Sequence, residues 1–147
     1  MSLFKNFARS YLREALNDLR RAGEMYQVGD YAASIFFAQQ CVEKSVKAML
    51  EFKGEYVYNN GPRLAGYFLK TFQAEWRREF DVILEALERL QEYYTRSRYP
   101  FIIDGEVIEP SQYVTREKAE KAVKLAGDAF REARRYLENE GIRIEDH

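Results

Sequence analysis

Apolar positions at Phe4, Phe7, Tyr11, Ala15, Leu19, Ala22 and Tyr26 follow one another in steps of three and four. That spacing keeps one helical face inward and predicts a first helix that stops at "VGD". Gly29 suits the turn after a helix, and Asp30 can accept the free N–H groups at the start of the next. The following stretch, "YAASIFFAQQCVEKSVKAMLEFKG", is apolar around most of its circumference, with Ile35, Phe36, Phe37, Ala38, Cys41, Val42, Val46, Met49 and Leu50. Such a helix is buried on several sides, so it is expected at the centre of a bundle. Its polar positions, Gln39, Gln40, Glu43, Lys44 and Lys47, must face solvent, a partner or a cleft between helices: a wet face, an intersubunit or intrahelical polar network, or a phosphate reached by Lys44 or Lys47.

A loop around "NNGP" leads to a short helix expected from about Pro62 to Phe72, since proline is welcome in a first turn. From Trp76 the residues Trp76, Phe80, Ile83, Leu87, Leu90 and Tyr94 alternate steps of four and three, the seam of a packed helix. After Pro100, "FIIDGEVIEPSQYV" is rich in β-formers, and Asp104-Gly105 between two apolar runs signals a hairpin or ordered loop. Thr115 caps a last helix whose inner face is Ala119, Ala122 or Val123, Ala126, Phe130, Ala133 and Leu137, with Gly141 beyond its end. The tail "IRIEDH" is expected to fray. These elements predict an all-α protein: one domain over residues 1–147, core about 3–140, folded as an antiparallel up-and-down bundle of four to five helices. A short loop or β-hairpin precedes the last helix.

Composition narrows the chemistry. Among 147 residues, 23 Lys and Arg nearly cancel 24 Asp and Glu, leaving a net charge of -1, so no general field attracts nucleic acid and any anion site must be local. The single cysteine, Cys41, has no internal disulfide partner and sits in an apolar stretch, which reads as a core thiol in a reducing, cytoplasmic compartment. Lys5, Arg9 and Arg13 interrupt the opening segment, so it is not expected to be a signal peptide, and no run approaches the roughly 20 apolar residues of a membrane span. The one histidine is His147, which leaves no cluster for a metal and no arrangement for triad chemistry. No phosphate cradle of the glycine-rich kind appears, and no cofactor is expected. Carboxylates on helices read as solvated or paired, as with Glu85 and Arg89 at i,i+4. Eleven tyrosines and ten phenylalanines exceed what one small core comfortably buries and favour a homodimer.

One stretch stands out: "YYTRSRYPF", residues 93–101, sets two arginines among four aromatics and runs into a proline. Pro100 disfavours helix at Tyr99, so a helix should end near Arg98 with Arg96 and Arg98 in its last turn. There the cations gain roughly 0.3–1 kcal/mol from the helix dipole, and Glu92 is placed to pair with Arg96. The competing reading is recognition of an anion by the two guanidinium groups beside Tyr94 and Tyr99, which can stack on a base.

"AQQCVEKSVKAML", residues 38–50, followed about 45 residues later by "SRYP", resembles the HEPN domain family, over roughly residues 10–137. The resemblance implies an antiparallel bundle, often homodimeric, frequently paired with a small nucleotidyltransferase-like protein in toxin-antitoxin modules. Some members are metal-independent ribonucleases with an Arg, four to six residues, then a His; others are associated with nucleotides. The arginine of that motif maps onto Arg96 or Arg98, but residues 101–105 are Phe, Ile, Ile, Asp and Gly, with no imidazole. A helix position that reads Gly-His-Asp-Leu in many relatives is "GPRL" here. No catalytic residue is therefore assigned. The expectation is a non-catalytic module that binds itself, a nucleotidyltransferase-like partner, and a nucleotide or RNA through Arg96, Arg98, Tyr99, Lys44 and Lys47. The alternative is a ribonuclease toxin with a degenerate site, in which Arg98 and Tyr99 of two subunits meet.

Overall fold

The computed structural model describes residues 3–55 and 63–145. Its elements are α1 (Leu3–Gln27), α2 (Tyr31–Phe52), α3 (Arg63–Phe72), a 3-10 turn (Gln73–Glu75), α4 (Arg78–Leu90), α5 (Tyr93–Arg96), β1 (Phe101–Ile103), β2 (Glu106–Ile108), α6 (Pro110–Tyr113) and α7 (Arg116–Asn139). The expected all-α bundle is the observed one, with the hairpin inserted before the last helix. The "NNGP" loop, Gly61 and Pro62 of "GPRL", and His147 lie outside the described residues.

Local chemistry sets the element ends. Gly29 takes a φ of 82°, which a side chain would resist, and Asp30 then accepts from the Ala33 N–H at 3.1 Å to start α2. The short turn makes α1 and α2 antiparallel neighbours. Thr115 caps α7 by accepting from the Lys118 N–H at 3.2 Å. Asp104 and Gly105 both have positive φ, 49° and 79°, the turn that matches the right-handed twist of β1 against β2.

α2 occupies the centre, packed on α1, α3, α4, α5 and α7. Ile35, Ala38, Cys41, Val46, Met49 and Leu50 are all fully buried. At one end α3, α4 and α7 close an aromatic cluster in which Phe72 lies 5.4 Å from Phe80 and Phe80 lies 5.5 Å from Tyr136, in edge-on geometry.

Three expectations change. The helix starting at Trp76 begins instead at Arg78, because Trp76 and Arg77 are extended; the Trp76 indole packs on Phe80 and donates to Asp81 Oδ1 at 2.9 Å. The helix expected to run to Arg98 is interrupted after Leu90: hydrogen bonding tightens to Tyr94 N–H on Gln91 O, and both arginines follow on and after the four-residue α5. Leu90, Tyr93 and Ser97 remain buried, so the inward face continues through the irregularity. The third is the tail, where Ile142 is 1% exposed and Ile144 is also buried. Arg134 Nη2 donates to the Ile144 carbonyl at 3.1 Å and Arg9 Nε to that of Arg143 at 3.3 Å, so α1 and α7 both hold the segment expected to fray. Among the described residues no helix is long and apolar enough to cross a membrane.

Candidate anion and aromatic site

Arg96 and Arg98 reach the same end of the molecule by different supports. Arg98 closes α5: its Nε and Nη2 donate to the Tyr94 carbonyl at 3.0 and 2.6 Å. The guanidinium then lies 4.9 Å from the ring centroid of Phe36 on α2, 4.9 Å from Tyr94 and 5.2 Å from Tyr99. Both the cap and the aromatic setting expected from the sequence are present, on one side chain. Arg96 turns toward the hairpin, with its guanidinium 4.6 Å from the Phe101 centroid and 5.6 Å from that of Tyr113.

The expected Glu92–Arg96 ion pair does not form. Glu92 accepts instead from the Tyr113 hydroxyl at 2.7 Å, and Phe101 stacks edge-on against Tyr113 at 5.0 Å. By contrast, the Glu85–Arg89 pair forms at 3.2 Å. Burial, then the hydrogen bond to Glu92, raises the Tyr113 phenol; burial followed by the Glu92 charge does the same more strongly at Tyr93. Among the described residues no carboxylate forms an ion pair with Arg96, Arg98 or Lys118.

Phe36, Tyr113 and Lys118 join this site without having been singled out in the sequence. Phe36 hides in a long apolar run, and Tyr113 precedes the cap of α7 with nothing to mark it. Lys118 Nζ sits 3.7 Å from the Tyr113 centroid and donates to the Tyr113 carbonyl at 3.0 Å. Beyond it a cavity of about 570 Å³ opens beneath the hairpin, lined in part by Ile103, Ile108, Gln112, Tyr113 and Lys118.

Lys44 and Lys47 are engaged elsewhere. Lys44 Nζ is 2.5 Å from Asp18 Oδ2, and Asp18, only 2% exposed, also accepts from Arg21 at 2.8 Å. Lys47 lies 6.0 Å from the Tyr11 ring centroid, and burial, reinforced by the Lys44 charge, lowers its ammonium against the opposing pull of Glu43. Gln39 and Glu43 are buried too, so the polar positions of α2 form a seam against α1. Cys41 is buried in the same helix, and burial pushes its thiol far up. No group of three or more His, Cys, Asp or Glu among the described residues is arranged to hold a metal ion.

Comparison with known proteins agrees with this architecture. The HEPN domain family matches residues 8–139. A protein of Methanocaldococcus jannaschii named "Putative toxin MJ1304" is 29% identical over 135 residues, covering 89% of this chain and 88% of its own. The crystal structure of TT1696 from Thermus thermophilus superposes with a TM-score of 0.66 at 28% identity, over 86% of this chain and 94% of that one. The structure of ST0689, described as an archaeal HEPN homologue, gives 0.66 at 25% identity over 88% and 97%.

Proposed function

Since this chain belongs to the HEPN domain family, we propose that it acts as a non-catalytic interaction module, a homodimer that docks a nucleotidyltransferase-like protein and holds a nucleotide at the Arg96 and Arg98 end. One observation carries the reading: two guanidinium groups are held over aromatic rings, and among the described residues no carboxylate is paired to either. Arginine so placed offers directed donors to phosphate, while exposed Tyr99 offers a face to a base. Arg96, Arg98 and Tyr99 form the site; Lys44 and Lys47 serve the seam between α1 and α2.

Catalysis is left out because proton transfer near neutral pH needs a group poised there, and among the described residues no imidazole stands beside the arginines. Tyr93 and Tyr113 are shifted away from neutrality. A second reading, a ribonuclease toxin with a degenerate site, is favoured by the name of the Methanocaldococcus relative.

The test takes purified protein, its solution mass, its melting temperature with and without nucleoside triphosphates, and its effect on RNA. The proposal expects a dimer, a nucleotide-induced rise in melting temperature that Arg98→Ala abolishes, and intact RNA. An equal rise in Arg98→Ala removes the nucleotide site. RNA cleavage together with growth arrest on expression, both relieved by Arg98→Ala, establishes the toxin reading instead.

A further inference from the structure

The stretch that carries Arg96 also carries a carboxylate spaced to neutralise it. Glu92 stands four residues earlier, the order in which a helical carboxylate–guanidinium pair is favoured. The Arg96 N–H bonds the Glu92 carbonyl at 3.2 Å, so the backbone between the two keeps helical spacing. On α4 the same spacing joins Glu85 to Arg89 at 3.2 Å. What differs at α5 is a third group. The Tyr113 hydroxyl donates to Glu92 Oε1 at 2.7 Å, while the rings of Phe101 and Tyr113, with centroids 4.6 and 5.6 Å from the Arg96 guanidinium, draw the arginine toward the hairpin.

We propose that Tyr113 is a positioning residue for the anion site: its hydroxyl holds the Glu92 carboxylate away from Arg96 and so keeps that guanidinium open to phosphate. A guanidinium already paired within its own chain offers phosphate only the donors left over, and an incoming anion must first displace the resident one. A solvated i,i+4 pair is weak, which lets a single hydroxyl divert it and sets the expected effect on binding at roughly two- to fivefold. Burial, and then the hydrogen bond to Glu92, raise the Tyr113 phenol, so the hydroxyl keeps its proton near neutral pH and remains a donor. Tyr113 is itself held in place: Phe101 meets it edge-on at 5.0 Å, and Lys118 Nζ lies 3.7 Å from its ring centroid and donates to its carbonyl at 3.0 Å.

This inference rests on the proposed nucleotide site and adds what protects it from the chain's own competing anion. The segment between the hairpin and α7 thereby sets the charge of a site built on α5.

Calorimetric titration with ATP and with GTP tests the arrangement in wild type, Tyr113→Phe, Glu92→Gln and the Tyr113→Phe/Glu92→Gln double variant. Phenylalanine keeps the ring that Arg96 and Lys118 lie against, and a far-ultraviolet melt confirms folding of each variant. The proposal expects Tyr113→Phe to weaken binding roughly two- to fivefold, Glu92→Gln to bind at least as tightly as wild type, and the double variant to match Glu92→Gln. A merely structural hydroxyl predicts a loss that Glu92→Gln does not recover. That result, or wild-type affinity in Tyr113→Phe, overturns the inference and leaves the nucleotide site standing. A wild type that binds neither triphosphate removes the nucleotide site, and urea midpoints then decide the diversion. With Glu92→Gln and Arg96→Gln made singly and together, the two losses should be additive while Tyr113 is present and coupled in the Tyr113→Phe background. Equal coupling in both backgrounds overturns the diversion as well.

Discussion

Arg98 places two donors, Nε and Nη2, on one acceptor, the carbonyl oxygen of Tyr94 four residues earlier. The carbonyl is one that the end of α5 leaves without an intrahelical partner, and the guanidinium satisfies it while lying against Phe36, Tyr94 and Tyr99. Capping and ligand recognition are therefore compatible: the cap fixes the plane of the group, and its remaining edge is free to meet an anion.

Arg98→Ala should cost only about 0.5–1 kcal/mol, because the hydrogen bonds are exposed to water. That corresponds to a fall in melting temperature of roughly 2–4 °C. Arg98→Lys keeps the charge but not the two-point grip, so it should restore less than half of any nucleotide-dependent shift. Calorimetric melting of the three proteins with and without nucleotide checks both statements; full rescue by lysine would show that charge alone matters.

Lys44 is predicted to act through Asp18. Lys44→Met leaves a buried carboxylate with Arg21 as its remaining cation and should cost about 1–3 kcal/mol. Adding Asp18→Asn should recover part of that loss, giving a coupling of at least about 1 kcal/mol in a double-mutant cycle measured by urea denaturation. Strictly additive losses would mean that the pair contributes nothing to the fold.

Alkaline pH should destabilise the protein. The Cys41 thiol and the Tyr93 and Tyr136 phenols all have raised folded-state values, with burial the first cause in each. Their stabilisation is complete below the unfolded values and declines above them, where the unfolded chain releases protons that the folded chain retains. Urea midpoints should therefore fall between about pH 9 and 11, the thiol acting first. Cys41→Ala should delay the onset of that fall, and an unchanged onset would exclude the thiol as its source.

Glu75 works in the opposite direction. Lys53 Nζ, 2.5 Å away, holds its carboxylate below the ordinary value, aided by the Tyr136 hydroxyl at 2.9 Å. This stabilisation is present above the unfolded value near 4.5 and is lost as pH falls through the folded one. Glu75→Gln should consequently flatten the acid limb of a stability profile; an unaltered limb would show that the contact is too solvated to count.

Ile142 offers a direct measure of the tail. Its side chain is fully enclosed, so Ile142→Ala should cost about 2–4 kcal/mol. A loss below about 0.5 kcal/mol in chemical denaturation would return the segment to the frayed end that its composition predicts.

The bundle was readable in the chain because its signals are local. Apolar spacing of three and four marks α1, α2 and α7 whatever they pack against, Asp30 and Thr115 announce the caps they make, and Asp104-Gly105 can hardly form anything but a tight turn. The chain also singled out the stretch that holds Arg96 and Arg98. What each polar group would meet was not there to read. Glu92 is as well spaced for Arg96 as Glu85 is for Arg89, yet it takes the hydroxyl of Tyr113, 21 residues later, while Arg96 goes to Phe101. Lys44 finds Asp18 from 26 residues away, and the segment after α7 is held by Arg9 of α1 and Arg134 of α7. Periodicity and backbone sterics act between neighbours in sequence, so the sequence states them. The choice between two partners of similar chemistry depends on ångström distances and on exclusion of water, and those exist only once the helices have packed.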